Sequence, residues 1–392
     1  MRFWRFQPPL SRILDFAPTL LSLVAAFFVA SFLLLVLDAN PLEAVRAMGD
    51  GAFGNENAIA ETLVKAIPIL FVATGICVAF RGGVINIGGE GQMIAGAVAG
   101  ITVTLALAQS SGIVIIPLAL LAGFIAGALY GGLAGFLKAY FNVNEILSTI
   151  MLNQVAAQMM NFLLNGPLLD PTEAGVNAIP KTARIAEAAE LPRLFFHVGT
   201  VELFARTRLH YGLVIGIVLA IVTYILLWYT TIGYRIRAVG QNEHAARYAG
   251  INVKRNIMLA MFLAGGFAGL AGIVQVLGLQ YRLQTDGSPA GFTGSAGFNG
   301  IVAALFGGLN PFGAIPASIF FGGLLVGAQK MQRELGVSAS LITAINGLIV
   351  IFVVSSQFFV RRRTLQRTNS ILPQVESVQT VHPIPPLESQ HR

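Results

Sequence analysis

The chain has 392 residues, of which 55% are hydrophobic and 11% charged, with a mean hydropathy of +0.73 and a formal net charge of +7. Soluble domains carry about 25% charged residues, so this composition excludes an ordinary water-soluble enzyme or binding domain. The basic excess does not point to nucleic acid either, because Arg2, Arg5 and Arg12, the Arg235 to Arg255 cluster, and Arg361, Arg362, Arg363 and Arg367 flank apolar runs, where they act as orientation signals.

In chain order, residues 1–16 read as a cytoplasmic N-terminus. The apolar stretch 17–37 exceeds the roughly 7–15 residues of a signal-peptide core, and Asp38-Ala39-Asn40-Pro41 is a poor cleavage site, so it is expected to be a retained first span. Further spans are predicted at 63–80, 90–108, 113–137, 144–164, 211–230, 255–279, 298–309, 313–329 and 339–359. The expected fold is therefore all-α: a polytopic transmembrane helical bundle of about ten spans with broken helices, covering 17–360. Ten crossings put both termini on one side. With the termini cytoplasmic, the larger share of the 25 Lys and Arg falls inside and most of the 18 acidic residues fall outside. The outer segments Asp38 to Thr62 and Asn165 to His210 read either as solvated connectors or as a docking face for an external protein. The polar, Pro-rich segment 361–392 is expected to be a disordered cytoplasmic tail. Cys77, the single cysteine, lies in an apolar run and reads as a packing residue.

Glycines recur at four-residue spacing, as in Gly123, Gly127, Gly131 and Gly135, Gly265 and Gly269, and Gly323 and Gly327. Such stripes let helix backbones approach in lipid, within the chain or across a dimer. Only Glu90 and Glu145 among the acidic residues fall at membrane depth, where an ionisable group needs a cavity or a partner. Glu90 stands in Arg81-Gly-Gly-Val-Ile-Asn-Ile-Gly-Gly-Glu-Gly-Gln92, whose glycines break the helical pattern. A counterpart occurs in the second half, where the run from Phe298 through Asn299 to Leu309 is too short to cross and breaks at Gly307, Gly308 and Pro311. Paired interruptions mark a substrate path in transporters, and that reading is preferred to a packed kink whose polar groups are satisfied internally. Asn144, Glu145, Ser148, Thr149 and Asn153 open the next span with a polar stripe. There Asn144 and Glu145 serve equally well as path residues or as helix caps.

The loop 231–254 carries a charged segment in which Asn242 can cap a short helix ending at Tyr248, with Glu243 and Arg247 four apart and Gly250 as terminator. The sequence Gly240-Gln-Asn-Glu-His-Ala-Ala-Arg-Tyr-Ala-Gly-Ile251 resembles the coupling-helix motif of ABC permeases in the superfamily of the ribose and branched-chain amino acid importers. Asn86-Ile-Gly-Gly-Glu-Gly-Gln92, Val143-Asn-Glu-Ile-Leu-Ser-Thr-Ile-Met-Leu-Asn153 and Leu309-Asn-Pro311 are similar to its nucleoside-type branch, with motifs in order from about Glu61 to Phe359.

The resemblance implies the permease subunit of an ATP-driven importer in a bacterial cytoplasmic membrane, with nucleosides as substrate and simple sugars or another small solute as alternatives. It implies as partners an ABC ATPase subunit, a second permease subunit, an external solute-binding protein and membrane lipid, with no nucleic acid and no cofactor or metal. Gln241, Asn242, Glu243, Ala246, Arg247, Tyr248 and Gly250 would meet the ATPase. Asn86, Glu90, Gln92, Asn144, Glu145, Ser148, Asn153 and Asn299 would lie on or near the path. A carboxylate is frequent in that family where this chain has Gln275 and Asn299, a departure that bears on the substrate.

No Lys follows a Gly, so the phosphate-cradling motif of a P-loop is absent and energy must come from a partner. A proton- or sodium-coupled carrier titrating Glu90 and Glu145 is the rival reading, and it leaves the 231–254 loop unexplained. An intramembrane enzyme finds no support, since the five histidines show no metal-ligand spacing.

Overall fold

The computed structural model describes residues 40–173, 179–198 and 201–338, with isolated helical positions between 24 and 35 and between 344 and 351. The spans expected at 17–37 and 339–359 therefore lie largely, and the segments 1–16 and 361–392 wholly, outside the described residues.

The described chain is helical apart from one antiparallel hairpin, β1 (Phe196–Val198) with β2 (Val201–Leu203). Every span predicted between residues 63 and 329 coincides with a helix. In order these are α1 (Pro41–Phe53), α2 (Glu56–Arg81), α3 (Gly89–Ala106), α4 (Gly112–Phe141), α5 (Glu145–Leu164), α6 (Gly212–Tyr229), α7 (Thr231–Gln241) and α8 (Glu243–Tyr248). There follow α9 (Val253–Gln275, continued by a π turn Val276–Gln280), α10 (Pro289–Thr293), α11 (Ala296–Phe306) and α12 (Pro311–Leu335). Among the described residues α2, α4, α6, α9 with its π turn, and α12 are long and apolar enough to cross a membrane, while α11 is a shorter apolar helix.

Apolar residues occupy every side of α2 and α9, which is the pattern of a helix buried all round. In their most apolar windows 78% and 72% of the residues are buried, against 28% in α4 and α6, so α2 and α9 form the axis of the bundle and the other two present faces to lipid. The glycine stripes explain the tightness of the contacts. A Cβ on Gly131 of α4 would stand 2.6 Å from the Met261 carbonyl oxygen of α9, and one on Gly127 would stand 2.6 Å from Gly269 Cα. Gly96 of α3 abuts Gly269 as well. The seam is closed within the chain, and no backbone there is left for a second copy to approach. Gly327 is likewise taken, against Met48 of α1.

The two long segments expected outside the membrane pack against the bundle. Asn40 accepts from Leu42 N and Pro41 opens α1, whose Ala44, Ala47, Gly51 and Ala52 are buried. Asn55 then caps α2, which starts at Glu56, seven residues before the expected start at 63. Small residues at helical spacing carry too little hydropathy to register as a buried face, which is why the segment reads as a loop. The second segment straps the C-terminal end of α9, with Leu191 N on Leu277 O at 2.9 Å and Thr182 N on Leu283 O at 2.9 Å. Ile185, Ala189 and Leu191 are buried beneath it.

Gly269→Val should abolish or severely lower the yield of folded protein, because its Cβ collides with α4 backbone. By contrast Gly49→Ala, on the exposed side of α1 with nothing within 4 Å, should stabilise by about 0.5–1 kcal/mol. Thermal unfolding in detergent reads both; a Gly269→Val protein that unfolds with the parent would contradict the seam.

Candidate functional site

After α2 ends at Arg81, Gly83 (φ +78) turns the chain back against Gly240, and residues 84–88 re-enter the bundle without helical bonds. Helix α3 starts where Gly89 meets Val72 of α2 and Gly297 of α11. Val72 precedes Arg81 by nine residues, which places this start about 14 Å inside the end of α2. From the same level α11 runs the other way for 11 residues, or about 16 Å, to a Gly307-Gly308-Leu309 turn. There the Gly308 and Leu309 carbonyls accept from Arg81 at 3.3 and 3.2 Å. Two broken helices thus have their N-termini together at membrane depth.

Glu90 sits between them. It is buried, and its carboxylate accepts from Phe298 N in the first turn of α11 at 3.1 Å and from the Thr293 hydroxyl. It also lies in the first turn of α3. A negative charge there answers the positive ends of both helices and takes up a backbone donor that α11 cannot satisfy internally.

Asn86, Gln92 and Asn153 are brought together beside it. Asn86 and Gln92 exchange two amide bonds of 3.0 Å, and Asn86 Oδ1 also caps Gly88 N at 2.9 Å. Asn153 of α5 accepts from Gly91 N at 2.8 Å and donates to the Ile87 carbonyl at 3.0 Å. Thr149 accepts from Ile87 N at 3.4 Å. These side chains replace the helical bonds that residues 84–88 lack. Asn144 and Glu145 lie apart from this network, at the start of α5. Asn144 caps the helix through Ile146 N and Leu147 N, and Glu145 pairs with Lys138 at 3.0 Å. Ser148 bonds back to the Glu145 carbonyl, and Asn299 is half-buried in the first turn of α11.

A cavity of about 230 Å³ lies on the far side of Thr293, between the junction and the end of the bundle opposite α8. Its polar lining comes from Lys65, His210, Gln275, Gln280, Thr293 and Gln329. Apart from Gln275, which drew notice only as a departure from the family, sequence reading missed these residues. The reason is the π turn at the end of α9, closed by Tyr281 N on Val276 O at 2.8 Å. Residues five apart diverge on an α-helix but share a face across a π turn, so Gln275 and Gln280 both reach the Phe292 carbonyl, at 2.7 and 3.4 Å. His210, just ahead of α6, accepts from Gly212 N through Nδ1 at 3.1 Å. Burial pushes its imidazole down to about 4, so it is neutral at physiological pH and carries its proton on Nε2.

At the opposite end α8 has the expected form. Asn242 accepts from Ala245 N at 3.0 Å, Arg247 reaches Glu243 at 3.1 Å, and Gly250 ends the segment with φ +77. Ala246 is buried as the anchor, whereas Tyr248 is 98% exposed. Gln241 ends α7 immediately before the cap.

Comparison with known proteins places residues 58–354 in the family described as branched-chain amino acid transport system permease component. A guanosine ABC transporter permease protein of Bacillus subtilis is 34% identical, over 86% of this chain and 92% of its own. A glucose ABC transporter permease protein of Haloferax volcanii is 32% identical (89% and 90%), and a nucleoside ABC transporter permease protein of Lactococcus lactis is 29% identical (85% and 89%). No solved structure matches the chain.

Asn153→Leu strands Gly91 N and the Ile87 carbonyl, so it should cost about 2–6 kcal/mol, the sum of two buried groups left unpaired. Loss of the exposed cap in Asn144→Ala should cost about 0.5–2 kcal/mol. Denaturant unfolding in detergent orders the two, and equal losses would contradict the network.

Proposed function

The chain belongs to the family of branched-chain amino acid transport system permease components, and from that premise we propose that it is the membrane-spanning subunit of an ATP-driven importer for nucleosides. The observation that carries the substrate is the 34% identity to a guanosine permease along nearly the whole of both chains. A simple sugar is the second reading, favoured by the glucose permease at 32% identity.

In this proposal the motor is a separate ABC ATPase that docks on α8 in the cytoplasm. A helix of six residues held by its own cap and ion pair, anchored by Ala246 and offering Tyr248 to solvent, suits insertion into a groove of a soluble protein. Gln241, Asn242, Glu243, Arg247 and Tyr248 form that contact. Gly83 packs on Gly240, so α7 bears directly on the re-entrant segment, and movement of α8 reaches the junction through two backbones in contact. The walls of the path are set by Asn86, Glu90, Gln92, Asn153 and Asn299 around the helix junction, with Asn144, Glu145 and Ser148 toward the cytoplasmic side. A second permease completes the path, an external solute-binding protein delivers the solute, and both termini are cytoplasmic.

A proton- or sodium-coupled carrier would need Glu90 or Glu145 to titrate during transport. Glu145 is held by Lys138, and Glu90 is committed to Thr293 and α11. Both commitments favour the ATP-driven reading.

Exchanging the charges of α8 in the double variant Glu243→Arg, Arg247→Glu keeps an i,i+4 ion pair, in the less favourable order relative to the helix dipole, on an exposed surface. The variant should insert normally yet lose ATP-dependent uptake and pull down less ATPase. Full uptake with normal ATPase association would refute the docking role.

A further inference from the structure

The cavity beside Thr293 is lined by buried acceptors that no donor among the described residues satisfies. Gln275 and Gln280 both line it, and both direct Nε2 to the Phe292 carbonyl, which fixes the orientation of each amide, since a flip would set oxygen against oxygen. Their Oε1 atoms are buried and accept nothing from the described residues. A third acceptor lies across the space. Pro68 of α2 has no N–H, so the Val64 carbonyl one turn earlier loses its i+4 donor, and both residues line the same cavity. Buried acceptors without donors are costly and rare in native folds.

We propose that this cavity is a solute-binding site for one ring of an uncharged molecule rich in N–H and O–H donors, the base or the sugar of a nucleoside. The assignment rests on the importer reading and specifies where and how that importer holds its solute. Anions bring no donors to the two amide oxygens. Cations would meet Lys65, and no acidic side chain lines the space to offset it. His210 is neutral and contributes an Nε2–H donor to an acceptor on the solute. A volume of about 230 Å³ equals seven or eight waters at roughly 30 Å³ each, and it is below the roughly 300–1,000 Å³ of pockets that enclose drug-sized ligands. One ring system fits, and the rest of a nucleoside projects toward the solute-binding protein or the second permease.

The wall of the site is also the clamp on the junction. Phe292 and Thr293 line the cavity, and the Thr293 hydroxyl is bonded to Glu90. A solute that draws the glutamine amides off the Phe292 carbonyl loosens the segment that holds the two helix N-termini together.

The test uses the complete transporter reconstituted in proteoliposomes, with tritiated guanosine as probe. Leu279→Trp fills the cavity without removing a polar atom, and Gln275→Leu removes one of the two orphan acceptors. Each should raise the KM for guanosine roughly tenfold, the ratio expected for one lost hydrogen bond or one steric block, at equal amounts of inserted transporter. Gln275→Glu, which keeps an acceptor oxygen, should raise KM less than Gln275→Leu. Wild-type transporter that imports glucose and not guanosine would overturn the nucleoside reading alone, and the same variants read on glucose then decide the site. An unchanged KM in Leu279→Trp, for whichever solute the wild type imports, overturns the inference.

Discussion

Two helices begin inside the membrane with their N-termini facing each other, and the carboxylate of Glu90 holds them there. Each helix start leaves backbone N–H groups without intrahelical acceptors, and lipid offers none. Phe298 N and the Thr293 hydroxyl close on Glu90, while Asn86, Gln92 and Asn153 satisfy the irregular residues that lead into α3. Glycines on both sides of the contact, Gly89 and Gly297, let the two backbones come close enough for one short side chain to serve both. Remove the carboxylate and two positive helix ends would face one another across apolar packing.

The rest of the bundle is arranged around that contact. Helix α2 touches the cavity at Val64 to Ile69, the junction at Val72, and the α11–α12 turn at Arg81. Like α11, it borders the proposed solute site, the helix break and the turn between α11 and α12. The α4–α9 glycine seam fixes the opposite wall, since backbones in contact have no room to slide without clashing. The junction thus lies between two tightly packed walls, and the exposed α8 stands at the end of the bundle opposite the cavity.

Much of this was legible in the residues. Helices at the spans predicted from 63 to 329, the interruption between Gly82 and Gly88, the second break at Gly307 to Pro311 and the capped helix Glu243–Tyr248 all follow from hydropathy, glycine placement and capping chemistry. The preference for a path over a packed kink at Glu90 looks different once the partners are visible. Every polar side chain singled out in the re-entrant segment is spent on backbone or on a neighbour, so these residues hold that segment in place. Asn144 and Glu145, for which capping and transport stood equal, show the cap and an ion pair. Hydropathy could not reveal α1, whose buried face is alanine and glycine. Nor could periodicity reveal the cavity, because the π turn after Gln275 changes the spacing at which side chains meet.

A double-mutant cycle between Glu90 and Thr293 tests the junction most directly. Unfolding of the wild type, Glu90→Gln, Thr293→Val and the double variant should give a coupling free energy of about 1.5–3 kcal/mol, the range of a hydrogen bond to a charged group. Additive losses, with coupling below roughly 0.5 kcal/mol, would show that the carboxylate does not bind the two broken helices to each other.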